Sequence, residues 1–318
     1  MRSRVVVLKP LAPEALALLR EREETDVEVV ADPTPDAIAA ALSGAHAVCI
    51  RNTPLPESIL ATAPDLRVVS KHGVGLDNLP MAALTARGIP VATVGGANAG
   101  AVAEHTMMLM LALARRLPLY QARARAGGYV IDPHWPTQDL RGRRLLLVGL
   151  GRIGAWVATL ARAFGMEVSA HDPAAPGLIG VEREEDLAAA LGRADIVSLH
   201  LPLVEGTARL VDAAFLDAMR AGAMLVNTAR GELVDEAALL TAIRSGRLAG
   251  AALDVLDREP PDPANPLLSE PRVIVTPHVA ALTEQTAAEM ARLTAKNAVD
   301  GLDGRLDPAL VANPEVLI

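Results

Sequence analysis

Aromatic residues are nearly missing from this chain: two Trp, two Tyr and two Phe make up 2% of 318 residues. A core so poor in aromatics must be built from Ala, Val, Leu and Ile, which fits helices layered on parallel strands and argues against an aromatic-rich sandwich. Cysteine is rarer still. The lone Cys49, inside the apolar run AHAVCI, excludes an intrachain disulfide and points to a reducing, cytoplasmic setting. Long apolar runs are also lacking. MMLMLALA at 107–114 stops well short of the ~20 residues that a membrane span needs, and Glu104 and His105 precede it. The opening MRSRVVVLKPLAP has too short an apolar stretch for a signal-peptide core. There is no basic excess either: the net charge of −8 argues against a nucleic-acid partner. The clusters at Arg115–Arg116 and Arg141–Arg144 read as solvated helix ends and loops.

What is present is apolar mass, 51% of the residues, in a chain too long for one small core. Strand-like runs alternate with helical patterns from RVVVLK through IPVATV, as in a mostly parallel sheet. The glycines of GGANAG at 95–100 break that alternation, and a long helical pattern follows from Ala99 to about Leu117. A second alternation opens at RRLLLVGLGRIG and ends at RVIVTPHV, and one more long helical pattern and a short tail return to the first domain. The expected architecture is α/β, two doubly wound parallel-sheet domains: residues 97–282 form a Rossmann-type domain, inserted into a flavodoxin-like domain of residues 1–96 and 283–318.

VGLGRIG at 148–154 carries Gly149, Gly151 and Gly154 between an apolar strand and a helix, where glycines permit a tight turn and close approach of a pyrophosphate to the helix N-terminus. Eighteen residues past Gly154, Asp172 ends the next strand, placed to accept from the adenosine ribose hydroxyls. It would repel a 2′-phosphate, and the following PAAPG offers no arginine, so NAD is preferred over NADP.

Arg230 raises a separate question, because a guanidinium ending the apolar run AMLVNTA is costly unless an anion meets it. Ligands of doubly wound sheets bind outside the carboxyl ends of the strands. Asp254 and Glu259 at LAGAALDV and beyond, and His278 at the end of RVIVTPH, belong to that same edge. An arginine to hold a carboxylate, a histidine as acid and base, and an anion to orient it suit hydride transfer to a 2-oxo acid. His105, His171 and His200 lack metal-ligand spacing, so structural roles and no metal are expected.

These motifs, together with KHGVGLDN (71–78), GANAGAVAEHTMMLMLALAR (96–115), LHLPL (199–203), NTARGELVDEAAL (227–239), AALDVLDREPP (251–261) and TPHVA (276–280), resemble the D-isomer-specific 2-hydroxyacid dehydrogenases, which include phosphoglycerate dehydrogenase and hydroxypyruvate reductase. The resemblance implies that Arg230 binds the substrate, His278 is the acid/base, and Glu259 orients it and favours its protonated form. It also implies cofactor contacts from Arg152, Ile153, His200, Pro202, Thr207, Thr228 and Ala229, with Asp254 holding the nicotinamide carboxamide. Gly73, Val74 and Gly75 would contact the substrate carboxylate through their backbone. Arg51 and Lys71 would face the cleft, where a second substrate anion would meet them, as in phosphoglycerate dehydrogenases.

The resemblance also implies a homodimer through the cofactor domain, using the long helix from Ala99 and the segment YVIDPHWPTQDL. The chain ends without the regulatory extension of some phosphoglycerate dehydrogenases, so serine feedback is not expected. A second reading is an NADH-sensing corepressor of the same fold with negligible turnover. Formate dehydrogenase chemistry is disfavoured, since that branch resembles a glutamine where Glu259 stands.

Overall fold

In the first half of the chain, runs rich in Val become parallel strands, the central ones buried on both faces as such sheets require, with Thr25–Val30 at the edge only partly covered. β1 (Ser3–Leu8) is flanked by β2 (Thr25–Val30) and β3 (Ala47–Ile50), and β4 (Val68–Lys71) and β5 (Val91–Ala92) extend the sheet in the order β2-β1-β3-β4-β5. That is the flavodoxin-like order. The computed structural model describes residues 2–129, 137–175 and 177–317. Residues up to Asn98 and those from Leu282 onward form one compact unit, and Ala99 to Ala281 form the other. No helix among the described residues is long and apolar enough to cross a membrane.

The second unit holds seven parallel strands: β6 (Arg144–Val148), β7 (Glu167–His171), β8 (Glu182–Arg183), β9 (Ile196–Leu199), β10 (Ala223–Asn227), β11 (Leu248–Leu253) and β12 (Val273–Val275). Their order, β12-β11-β10-β9-β6-β7-β8, places β6 beside the reversal of winding, the Rossmann arrangement with one added strand. Two aliphatic cores cover its faces. One gathers Leu146, Val197 and Leu225 with Leu239 and Ile243; the other joins Leu145, Leu147 and Ile196 to Met107, Met110 and Val157. Each fully buried Leu or Ile contributes about 1.5–3 kcal/mol relative to exposure.

The helical pattern expected to run from Ala99 to Leu117 is two helices. The first, Ala99–Ala114, ends before Arg116, whose φ of 51° turns the chain, and Leu117–Arg125 follows with Pro118 in its first turn. Proline lacks the N–H that a continuous helix would need there, so a restart is the cheaper solution.

In the first unit, the helix Glu284–Leu302 packs on the sheet and brings Thr294 to its surface. Ser70 Oγ donates to the Thr294 carbonyl at 2.7 Å, and His72 Nδ1 lies 3.1 Å from Thr294 Oγ1. Burial, aided by the nearby charges of Arg51 and Lys71, pushes the His72 pKa down to about 4. The unfolded chain takes up this proton near pH 6.5, while the folded chain refuses it until about 4. Stability is therefore complete above pH 6.5 and falls by up to about 3 kcal/mol toward pH 4 from this residue alone. Urea midpoints at pH 7.5 and 4.5 test this: a clear drop at the lower pH is expected, smaller in His72→Asn, and equal midpoints would contradict it.

Candidate active site

Because every strand of the seven-stranded sheet is parallel, all its carboxyl ends lie along one edge. The loops after β6, β7, β9, β10, β11 and β12 carry Gly149, Asp172, His200, Arg230, Asp254 and His278 to that edge. The topology alone thus assembles residues spread over 130 positions.

On the cofactor side, Gly149 has φ 99°, and a Cβ there would sit 2.5 Å from the His200 carbonyl, so only glycine lets the β6 and β9 loops close together. Gly151, by contrast, faces open space, and it is the N-cap of the helix Arg152–Ala163, with no side chain to occupy the N-terminal N–H groups. That end suits an anion. Asp172 closes the far side: Oδ2 accepts from Leu150 N at 2.7 Å and Oδ1 from Ala174 N and Ala175 N at 2.9 and 3.0 Å. Partial burial raises its pKa, but these three donors outweigh burial and hold the carboxyl below the usual range. A narrow recess lined by Leu150, Asp172, Ala175 and Val181 adjoins it. The residues present fit an adenine dinucleotide: an open N-terminus for the pyrophosphate and an ionised carboxylate for the adenosine ribose hydroxyls.

Three further features emerge there. Arg183, brought by β8, borders the same recess, although its guanidinium is engaged by Glu185 at 2.8 Å and by the Ala175 carbonyl. Thr207 Oγ1 closes its own turn, accepting from Val204 N at 2.8 Å and donating to the Pro202 carbonyl at 2.7 Å. His200 pairs with Ser198 Oγ at 2.9 Å, and burial of its ring lowers its pKa to about 4.

The Arg230 loop is held by Asn227, fully buried at the end of β10. Its Oδ1 accepts from Ala229 N at 2.9 Å and its Nδ2 donates to the Arg230 carbonyl at 2.7 Å, so one amide fixes both sides of the turn. The guanidinium Nη1 donates to the Ala229 carbonyl at 2.7 Å. Gly231 explains the placement of a glycine immediately after the arginine. A Cβ there would fall 1.9 Å from the carbonyl carbon of Leu256, so the bare backbone is what lets this loop abut the segment leading to Glu259.

His278 Nδ1 pairs with Glu259 Oε2 at 2.7 Å, each side chain about one-third exposed (36% and 37%). Glu259 Oε1 also accepts from Leu256 N at 3.2 Å. With Nδ1 committed to the carboxylate, Nε2 is the nitrogen left for a substrate. A groove of about 550 Å³, walled by Leu256, Pro260, Pro261, Val275 and Pro277, opens beside the pair. His278 has φ 53°, a conformation that costs a non-glycine residue energy and needs restraint. Asp254 supplies it. Its carbonyl accepts from His278 N at 2.7 Å, Oδ1 from Val279 N at 3.0 Å, and Oδ2 from Ala280 N at 2.8 Å. Burial of this 1%-exposed carboxyl raises its pKa, but His105, Thr276 and the two backbone donors outweigh that and keep it low.

A family model described as "D-isomer specific 2-hydroxyacid dehydrogenase, NAD binding domain" matches residues 107–280. The glyoxylate reductase of Aeropyrum pernix is 38% identical over 332 residues, spanning 99% of this chain and 97% of that protein. The chain belongs to the D-isomer-specific 2-hydroxyacid dehydrogenases. The D-3-phosphoglycerate dehydrogenase of Archaeoglobus fulgidus is 34% identical over 309 residues, 95% of this chain. The chain covers 58% of that relative's length. Among solved structures, an NADPH-dependent glyoxylate/hydroxypyruvate reductase from Sinorhizobium meliloti, in complex with NADP and malonate, has a TM-score of 0.85 at 31% identity, covering 94% of this chain and 93% of that one.

In the other unit, the carboxyl edge of the five-stranded sheet bears Arg51 after β3, Lys71 at the end of β4 and the loop through Gly73, Val74 and Gly75. Arg51 is half-buried, and the three loop residues are partly exposed. Lys71 is only 3% exposed: its ammonium donates to the Arg51 carbonyl and, at 2.7 Å, to Asn78 Oδ1. Asn78 in turn donates to the Arg51 and Thr53 carbonyls at 3.0 and 2.6 Å. Lys71 thus ties two loops together from inside, a role its place in KHGVGLDN did not announce. Asp254, assigned by resemblance to the carboxamide, has its carboxylate occupied by the His278 turn. Sequence reasoning missed Asn227, Thr276 and Thr106 and gave His105 only an unspecified structural role. All four stand inside motifs already noted, and only the folded contacts distinguish them from their neighbours.

Proposed function

We propose that this protein is an NAD-dependent D-2-hydroxyacid dehydrogenase, carrying out reversible reduction of a 2-oxo acid to the 2-hydroxy acid. The observation that carries the reading is the Glu259–His278 pair at 2.7 Å, on the sheet edge that also bears Arg230 and the open helix N-terminus. A nicotinamide dinucleotide bound there supplies the hydride. Arg230 holds the substrate carboxylate with its planar fork and faces the charge that develops on the carbonyl oxygen. His278 gives the Nε2 proton to that oxygen as the new C–H bond forms. Glu259 stabilises the imidazolium before transfer and keeps Nδ1–H in place afterwards. In the oxidising direction the same nitrogen takes the hydroxyl proton.

For the substrate, the proposal is a 2-oxo acid that also accommodates a second anion, as in the substrate of a phosphoglycerate dehydrogenase, or a compact acid such as glyoxylate or hydroxypyruvate. Support for a distal anion comes from the first unit, where the half-buried Arg51 follows β3 at the carboxyl edge of the five-stranded sheet. Arg51 is the cation we assign to that contact, since Lys71 is engaged internally. Pairing of two copies through the cofactor unit is proposed on Met108 and Trp156, 46% and 52% exposed on two helices that share a core, with sedimentation velocity as its test. Residues 130–136 of the other expected dimer segment lie outside the described residues.

NAD is proposed over NADP because an ionised Asp172 repels a 2′-phosphate. The test is NADH oxidation against glyoxylate, hydroxypyruvate, phosphohydroxypyruvate and sulfopyruvate, with NADPH in parallel. NADH is expected to be preferred, and Asp172→Ser is expected to reduce that preference by about ten-fold or more, since removing unit charge at ~4 Å is worth up to ~4 kcal/mol before solvent screening. An NADPH preference in the wild type would overturn the assignment and direct attention to Arg183.

A further inference from the structure

The helix Ala99–Ala114 touches both catalytic loops of the second unit with two consecutive side chains. Thr106, fully buried, lies 2.9 Å from Thr228 Oγ1, two residues before Arg230. His105 Nε2 lies 3.1 Å from Thr276 Oγ1, two residues before His278, and 3.5 Å from Asp254 Oδ1.

Counting protons fixes the direction of both links. A hydroxyl has one hydrogen to donate. Thr106 donates its own to the Val102 carbonyl at 2.7 Å, so Thr228 must donate to Thr106, and the Thr228 rotamer is set by the helix. Thr276 donates to Asp254 Oδ1 at 2.5 Å, so its oxygen can only accept from His105, and the proton must sit on Nε2 of that ring. His105 therefore props the carboxylate that clamps Val279 and Ala280 and restrains the left-handed His278.

Resting on the dehydrogenase reading above, we infer that His105 and Thr106 are positioning residues that set the Arg230 and His278 loops against one another from a single helix. Carboxylate and carbonyl of a 2-oxo acid are adjacent, so the anchor and the proton donor must hold a fixed separation. Two adjacent positions on one rigid helix provide a ruler between them. The two residues act separately: Thr106 through Arg230 on substrate binding, His105 through His278 on proton transfer.

Steady-state kinetics with NADH and the best 2-oxo acid test this on the full chain. Thr106→Val is expected to raise KM for the oxo acid about ten-fold with kcat changed less than about three-fold, and His105→Leu to lower kcat about thirty-fold with KM nearly kept, since displacements well under 1 Å suffice for such losses. Thr106→Ser and His105→Gln, which restore a hydroxyl and an N–H donor, are expected to recover most of each loss. NADH affinity should stay within about two-fold throughout. Both variants matching wild type, or kcat, KM and NADH affinity failing together without rescue, would overturn the inference. If the wild type itself does not turn over, the dehydrogenase reading fails, and hydrogen exchange then judges the contact network alone. Faster exchange of residues 276–281 in His105→Leu and of 227–231 in Thr106→Val supports it, and unchanged exchange refutes it.

Discussion

Arg230→Ala is expected to lower kcat/KM for a 2-oxo acid by about a thousand-fold or more while NADH binds nearly as before. Two charge-assisted hydrogen bonds to a carboxylate, at about 1.5–3 kcal/mol each, give ~4 kcal/mol when one is discounted for residual solvation, and each 1.36 kcal/mol is ten-fold. Loss of the guanidinium removes its hydrogen bond to the Ala229 carbonyl, but Asn227 still holds the backbone on both sides of the residue and Gly231 seats it against Leu256. Arg230→Lys is expected to recover little, since a point charge does not reproduce the fork. Isothermal titration with NADH beside steady-state kinetics measures both terms. Equal loss of NADH affinity would mean that Arg230 serves the cofactor or the loop and not the substrate.

His278→Ala should reduce kcat by roughly 10²–10⁴, the usual span for a positioned acid/base, with KM for the oxo acid much less affected. The asymmetry follows from its place. In the proposed reaction His278 would serve the oxygen that gains a proton, whereas carboxylate binding is assigned to Arg230. Glu259→Gln keeps a hydrogen-bond partner for Nδ1 but removes the anion, so a smaller loss in kcat is expected. A His278→Ala enzyme with near wild-type kcat would show that the proton comes from elsewhere, such as solvent.

Much of this arrangement was legible because it obeys local rules. A strand, a glycine turn and a helix in succession, with an acid at the end of the next strand, can be read from VGLGRIG to Asp172 without knowing what packs around them. The parallel alternation likewise places Arg230 and His278 at one edge before any coordinate is seen. What could not be read depends on contacts between distant segments. Gly231 resembles an ordinary loop glycine until Leu256 is found against it, 25 residues later. Lys71, expected to face an anion, is buried against Arg51 and Asn78, and burial of a single side chain at a strand end is not encoded in periodicity. The residues directly following Asp172 carry no cation, whereas β8 returns Arg183 to the same recess from farther along the chain. The sequence around His105 supports a structural role but does not say which contacts it makes. Its partners, Thr276 and Asp254, come from the opposite end of the domain.

The most direct test of the central claim follows the hydride itself. The full chain would be incubated with NADH carrying deuterium at nicotinamide C4, in each of its two configurations, and hydroxypyruvate, and the product examined by mass spectrometry and chiral chromatography. The account predicts D-glycerate with deuterium at C2 from one of the two labelled cofactors, and almost none with Arg230→Ala or His278→Ala. Tight NADH binding with no label in any 2-oxo acid offered would contradict it and leave a protein that senses the dinucleotide without using it.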